Sequence, residues 1–109
     1  MSNETTLERR GHVGIITMNR EQALNAHSVG LMQRFREIIR EVNADAGVRV
    51  VIITGAGEKA FCAGADLRER DGFTPAQMLD MRVNVMFPFF RDLDEMMKPS
   101  IAAVNGVAF

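Results

Sequence analysis

Six of the seven residues at positions 48–54 (Val-Arg-Val-Val-Ile-Ile-Thr) are β-branched, and only Arg49 is charged. The run is too short for a globular helix, and its apolar residues do not alternate with polar ones. It predicts a strand covered on both faces, as in a parallel sheet, and points to an α/β arrangement. Residues 100–104 (Ser-Ile-Ala-Ala-Val) predict a second short buried strand. Near the start, residues 6–10 and 13–18 flank Gly11-His12, which reads as a β-hairpin with His12 exposed and inert in its turn.

From Ser28 the period changes. Val29, Met32, Phe35, Ile39 and Val42 recur every three or four residues, with Leu31 and Ile38 beside them. Arg34, Arg36, Arg40 and Glu41 fill much of the opposite face. This predicts an amphipathic helix, N-capped by Ser28, with Gly47 just beyond its end. Thr74-Pro75-Ala76-Gln77 is a second helix start: Thr74 can cap, Pro75 suits the first helical position, and Gln77 can complete a capping box. Its pattern runs to about Met97, and Pro88 should kink or divide it. The predicted order is ββ-α-β-loop-α-β. The apolar end, Val107-Ala108-Phe109, follows a buried strand and the turn signal Asn105-Gly106. Termini usually reach the surface, so the chain is expected to continue.

Composition narrows the function classes. The formal net charge is −1 with both signs interspersed, and Trp and Tyr are absent, which leaves no basic track or stacking platform for nucleic acid. No window approaches the roughly 18 consecutive apolar residues of a membrane span. Residues 1–11 carry Glu4 and Glu8 without an apolar run, so no secretory signal is expected. Cys62 is the single cysteine, which excludes an internal disulfide and multi-cysteine zinc patterns and points to a reducing, cytoplasmic compartment. Neither a metal nor a resident cofactor is expected.

The chemistry is expected in residues 55–67, where three glycines and four alanines leave the backbone accessible. Asp66, Glu69 and Asp71 follow, suited to the positive end of a short helix. Such a turn can aim main-chain N–H groups at developing negative charge, as an oxyanion hole requires. It can equally be a small-residue turn packed for steric reasons. Gly55-Ala56-Gly57-Glu58-Lys59-Ala60 also fits the dinucleotide pattern G-x-G-x-x-A, but no helix is predicted to open at that loop. Cys62 reads as a small buried thiol, since nothing in the sequence places His12 or His27 beside it. Asp66 and Glu69 read as helix-start charges rather than an acid–base pair. Met78, Met81, Met86, Met96 and Met97 among Phe87, Phe89 and Phe90 read as core or subunit contact.

Four segments, in order, resemble the enoyl-CoA hydratase/isomerase (crotonase) family. Lys59-Ala60-Phe61-Cys62-Ala63-Gly64-Ala65-Asp66-Leu67 is similar to the family's loop signature. Met18-Asn19-Arg20 through Ala23-Leu24-Asn25-Ala26 resembles its N-R-P-x-x-x-N-A-L element, with Glu21 at the usual proline and His27 at the usual leucine. Residues 50–55 match its central strand, and residues 99–108 its P-x-I-A-A-V-N-G-x-A run. The resemblance implies a crotonase-like (ClpP/crotonase) spiral of ββα units, incomplete in this chain. Residues 1–109 would be the N-terminal part of one domain, ending before a glycine triplet and two catalytic glutamates. It implies no cofactor beyond coenzyme A, which is part of the substrate.

The chemistry the resemblance implies is enolate stabilisation on an acyl-CoA thioester, with hydration of a 2-enoyl-CoA in fatty-acid or branched-chain amino-acid breakdown as the first expectation. Ala65 would donate one backbone N–H to the thioester oxygen. Ala63, Gly64, Asp66 and Leu67 would border the CoA, Arg68 could approach its phosphates, and Ala23, Leu24 and Ala26 would line the opposite wall. Isomerase, dehalogenase and ring-forming members share this half, and a non-catalytic fragment that binds the thioester weakly is the other class. Ala65-Asp66-Leu67-Arg68-Glu69-Arg70 resembles the methylglutaconyl-CoA hydratase-like branch. A full-length homo-oligomer, a trimer or dimer of trimers, is also implied, with no nucleic acid or membrane partner.

Overall fold

In the computed structural model, which describes residues 3–109, β1 (Thr5–Arg10) and β2 (Val13–Met18) form the expected hairpin, pairing Thr5 with Met18 and Arg10 with Val13. Gly11 turns it at φ +59°, and His12 is exposed, its Nδ1 2.9 Å from the Gly47 carbonyl. A 3-10 turn, Glu21–Ala23, leads to α1 (Val29–Ala44), whose first turn is capped by the Ser28 hydroxyl accepting from the Leu31 N–H at 3.0 Å. β3 (Val50–Gly55) then lies parallel to β2, Val13 opposite Val50, and β5 (Ser100–Ala102) lies parallel to β3. The sheet order is β1-β2-β3-β5, so α1 and the later helices are the crossovers that parallel neighbours require.

Between β3 and β5 the chain is more ordered than the sequence pattern predicts. The expected loop contains a short strand, β4 (Ala60–Cys62), and a one-turn helix, α2 (Leu67–Asp71). β4 pairs in parallel with β6 (Val107–Ala108), a separate two-stranded ribbon. α3 (Pro75–Met81) opens with the predicted capping box, Thr74 and Gln77 each bonding the other's backbone N–H. Pro88 divides the helix by a route that periodicity cannot show. Residues Arg82–Met86 widen into a π-helical turn, in which the Phe87 N–H reaches the Arg82 carbonyl, before α4 (Phe87–Asp94). Pro88 has no N–H to give to Asn84 and its ring would crowd that carbonyl, so an inserted wide turn relieves both problems.

The core lies between α1, one face of the sheet and the π-turn–α4 segment. Ile16, Leu31, Phe35, Ile38, Val42, Val51 and Phe89 are fully buried there, and the Phe35 and Phe89 rings meet edge to face at 5.1 Å. Arg36 and Asp92 join α1 to α4 at 2.8 Å. Two expectations need correction. Gly14, Ile16 and Met18 share the core face with Val51 and Ile53, but Val13, Ile15, Val50 and Ile52 on the other face are only half-buried, so β3 is covered on one face rather than two. The 100–104 run yields a three-residue edge strand that is exposed, because it pairs only with β3 and no described element packs over it. The Met/Phe stripe is likewise split: Met81, Val85 and Phe89 are core, while Phe87, Phe90 and Met97 are half or more exposed.

No described helix is long and apolar enough to cross a membrane. Phe35 touches both packing layers, so Phe35→Ala should lower the free energy of unfolding by about 3–5 kcal/mol, read as a lower urea midpoint.

Candidate functional site

Two backbone segments run side by side at the ends of β2 and β3. The Ala63 N–H donates to the Leu24 carbonyl at 3.0 Å, the His27 N–H to the Gly64 carbonyl at 2.7 Å, and the Asp66 N–H to the His27 carbonyl at 3.3 Å. His27 and Ala65 thereby form a parallel bridge. A trans peptide points its C=O and the next N–H in opposite directions. The Gly64 carbonyl is taken by His27, so the Ala65 N–H in the same peptide faces away from His27. It donates to no described residue. Gly64 makes the turn possible at φ +93°.

Two asparagines hold the preceding loop. Asn25, fully buried and left-handed at φ +57°, accepts from the Arg20 N–H at 3.0 Å. Its Nδ2 donates to the carbonyls of Ala56 at 3.0 Å and Ala60 at 2.9 Å. Asn105 accepts from the Gly55 N–H at 3.0 Å and donates to the Gly57 carbonyl at 2.8 Å and to Ala60 at 3.2 Å. This packing leaves no room at Gly55, where a Cβ would sit 2.5 Å from the Phe61 carbonyl oxygen.

Arg20 carries the charge pattern. Its guanidinium reaches Glu4 at 2.9 Å and Asp66 at 2.9 Å, and donates to the Ala26 carbonyl at 2.7 Å, so one side chain joins both walls. Asp66 is the N-cap of α2, accepting from the Glu69 N–H at 3.2 Å. Burial pushes its carboxyl up, but the hydrogen bonds from Glu69 and Arg20 and the guanidinium charge outweigh that and hold it below the usual carboxylate range. Glu69 lies in the first turn of α2 and also accepts from the Val29 N–H at 3.0 Å, at the start of α1. Both acids therefore serve helix starts, as the sequence predicts.

Cys62 is a buried free thiol, as expected, but it has an imidazole neighbour that the order of residues could not place. The His27 Nε2 lies 3.1 Å from its Sγ, because the backbone bridge between the two walls brings the residues together across 35 positions of sequence. Burial, with a contribution from Arg70, lowers the His27 pKa to about 4, while burial raises that of the Cys62 thiol against a smaller pull from the Gly64 N–H. Both groups are neutral near pH 7, which is the opposite of an activated thiolate.

Eight of the nine residues singled out in the sequence line one cleft of about 540 Å³: Ala23, Leu24, Ala26, Ala63, Ala65, Asp66, Leu67 and Arg68, together with Arg20 and Gln22. Gly64 borders a neighbouring cavity of about 190 Å³ that shares Ala65 and is also lined by His27 and Arg70. Arg68 and Leu67 are exposed at the rim. Sequence reasoning missed Arg20, Asn25, His27 and Asn105 as supports. Asn25 carried a signal, since asparagine tolerates the left-handed region at a turn. No cluster of three or more His, Cys, Asp or Glu residues able to hold a metal occurs among the described residues. A dinucleotide site is ruled out at 55–60, because the glycine turn enters β4 instead of opening a helix.

Residues 8–109 match the sequence model of the enoyl-CoA hydratase/isomerase family. YngF of Bacillus subtilis, named for the same two activities, is 44% identical over 97 residues, covering 89% of this chain and 37% of its own. The short-chain-enoyl-CoA hydratase of Clostridium acetobutylicum is 40% identical over 106 residues, covering 97% and 40%. The crystal structure of an enoyl-CoA hydratase from Bacillus anthracis superposes with a TM-score of 0.89 at 39% identity, over 96% of this chain and 41% of that one. The chain thus spans about 40% of the length of these relatives. With its mixed α/β fold superposing on crotonase-fold hydratases, this chain belongs to the enoyl-CoA hydratase/isomerase family.

Proposed function

We propose that this chain supplies one half of an oxyanion hole for an acyl-CoA thioester, with the Ala65 N–H as the donor. The observation that carries the reading is that N–H: oriented by the Gly64 carbonyl's bond to His27, unpaired, and bordering a cleft of about 540 Å³. Removing a proton at the α-carbon, or adding a nucleophile at the β-carbon, moves an electron pair onto the thioester oxygen. A fixed N–H stabilises that charge without reorganising during the reaction. In this reading Ala63, Gly64, Asp66 and Leu67 border the CoA moiety, Ala23, Leu24 and Ala26 form the facing wall, and the exposed Arg68 meets phosphate from the rim.

Hydration of a 2-enoyl-CoA is the reaction we assign, in fatty-acid or branched-chain amino-acid breakdown. The Ala65–Arg70 segment favours a short or branched acyl group of the methylglutaconyl type. Hydration also needs a second donor, a base for the attacking water and an acid for the α-carbon. The 109 residues contain no glycine triplet, and their buried carboxylate near Ala65, that of Asp66, is held by Arg20 and by capping. The chain alone therefore binds a thioester weakly at most. A homo-oligomer, a trimer or dimer of trimers, is the proposed state of a full-length protein, with the exposed Phe87, Phe90 and Met97 among the contact residues; sedimentation of that protein as a monomer would overturn it.

Two measurements test the chemistry. In a protein that turns over crotonyl-CoA, Ala65→Pro removes the donor and should lower kcat by about 10²–10³-fold, while Ala65→Gly should be milder. Near-normal turnover by a folded Ala65→Pro variant would remove Ala65 from the site. The 109-residue chain, assayed with crotonyl-CoA and methylglutaconyl-CoA, should not exceed the solution background. Saturable hydration by it, abolished by Ala65→Pro, would show that one donor and no downstream carboxylates suffice.

A further inference from the structure

His27 holds two consecutive peptide groups of the Gly64 turn, one directly and one through Cys62. Its main-chain N–H donates to the Gly64 carbonyl at 2.7 Å, which orients the Gly64–Ala65 peptide. The preceding peptide, Ala63–Gly64, donates its N–H to the Cys62 Sγ at 3.3 Å, and that sulfur lies 3.1 Å from the His27 Nε2. The ring is itself fixed, meeting Phe89 edge to face at 5.3 Å and Phe90 at 6.3 Å. We propose that Cys62 and His27 form a positioning pair, in which the thiol donates to the imidazole Nε2 while its sulfur accepts the Gly64 N–H, so that the side chains behind the turn hold the Ala65 N–H in its donor orientation. The proposal rests on the reading of Ala65 as the oxyanion donor.

The chemistry of the pair suits this role and not a nucleophilic one. A thiol can donate one hydrogen bond and accept another at the same atom, which a thiolate cannot. The depressed pKa of His27 keeps the ring neutral, so that the Nδ1–H tautomer offers Nε2 as an acceptor, and the raised pKa of Cys62 keeps the thiol protonated. Gly64 lies in the left-handed region, where a glycine has the widest choice of alternative conformations. Holding the peptides on both sides of it is the direct way to suppress that freedom.

Cys62 is the chain's single thiol, so its S–H stretch is one infrared band. That band should be lowered and broadened in the wild-type chain and return to the free-thiol position in His27→Leu, which keeps the main-chain N–H. Hydrogen exchange of the Gly64 amide should quicken about five- to tenfold in Cys62→Ala and in His27→Leu, the loss expected for one ordinary hydrogen bond. Core amides such as those of Ile39 and Val51 should not change. The double variant should be no faster than the faster single one, and Cys62→Ser should recover part of the protection. In a protein that turns over crotonyl-CoA, each variant should lower kcat about five- to tenfold with KM held. An unmoved S–H band, unchanged Gly64 exchange, or unchanged kcat in folded variants would each overturn the pair. Absence of any acyl-CoA turnover in a full-length protein counts against the proposed function instead, and the band and the amide still decide the pair.

Discussion

A loop folded in at the end of a sheet must find partners for main-chain groups that no ladder supplies, because a buried unpaired carbonyl or N–H costs about 1–3 kcal/mol. Residues 55–60 meet this demand with two side-chain amides. Asn25 and Asn105 both donate to the Ala60 carbonyl, and between them they also satisfy Ala56, Gly57 and Gly55. Three segments far apart in sequence are thereby fixed to one another: the turn after β2, the loop after β3 and the turn after β5. The cleft walls inherit their separation from this arrangement. Every buried side-chain nitrogen and oxygen among the described residues has a partner.

Charge around the cleft is arranged to be internally satisfied. Arg20 is divided between Glu4, Asp66 and the Ala26 carbonyl, and its side chain is only 15% exposed. Asp66 holds that guanidinium while capping α2. Breaking one member of such a part-buried set is costly, because the remaining charge is left without its partner. The His27–Cys62 pair adds no net charge at neutral pH. What the cleft then presents is the small side chains of its alanines, the exposed Leu24 and Leu67, the Ala65 N–H and the exposed Arg68 at the rim.

Much of the fold was legible in the sequence because local rules agreed with one another. The hairpin around Gly11, the Ser28 cap of α1 and the Thr74–Gln77 capping box each rest on residues adjacent in the chain. What could not be read depends on pairing across distance. β4 is three residues long and exists because β6 lies beside it, and the π-turn before Pro88 is a three-dimensional answer to a missing N–H. The apolar run in β3 implied two covered faces, whereas periodicity says nothing about which face is covered by these residues. The nine candidate site residues were legible through motif resemblance, and eight of them line one cleft, with Gly64 in the cavity beside it. Their supports were not, since nothing in the order of residues sets His27 beside Cys62 or Asn25 beneath Ala60.

A candidate site made of backbone, as proposed for Ala65, inverts the usual relation between function and residue identity. For the donor role proposed for Ala65, what the position must retain is an N–H pointing away from His27, which every residue except proline can supply. The strict positions lie around it. Gly64 must reach φ +93°, Gly55 has no space for a Cβ, and a Cβ at Gly106 would lie 2.5 Å from the Lys59 carbonyl oxygen. A small-residue signature in such a loop therefore describes the support more than the reacting group. The same logic explains why composition alone left the loop ambiguous between a catalytic turn and a packed one. A packed turn is what a rigid main-chain donor requires, so the steric reading is contained in the catalytic one, and the proposed donor role adds to it only the use of the Ala65 N–H, which donates to no described residue.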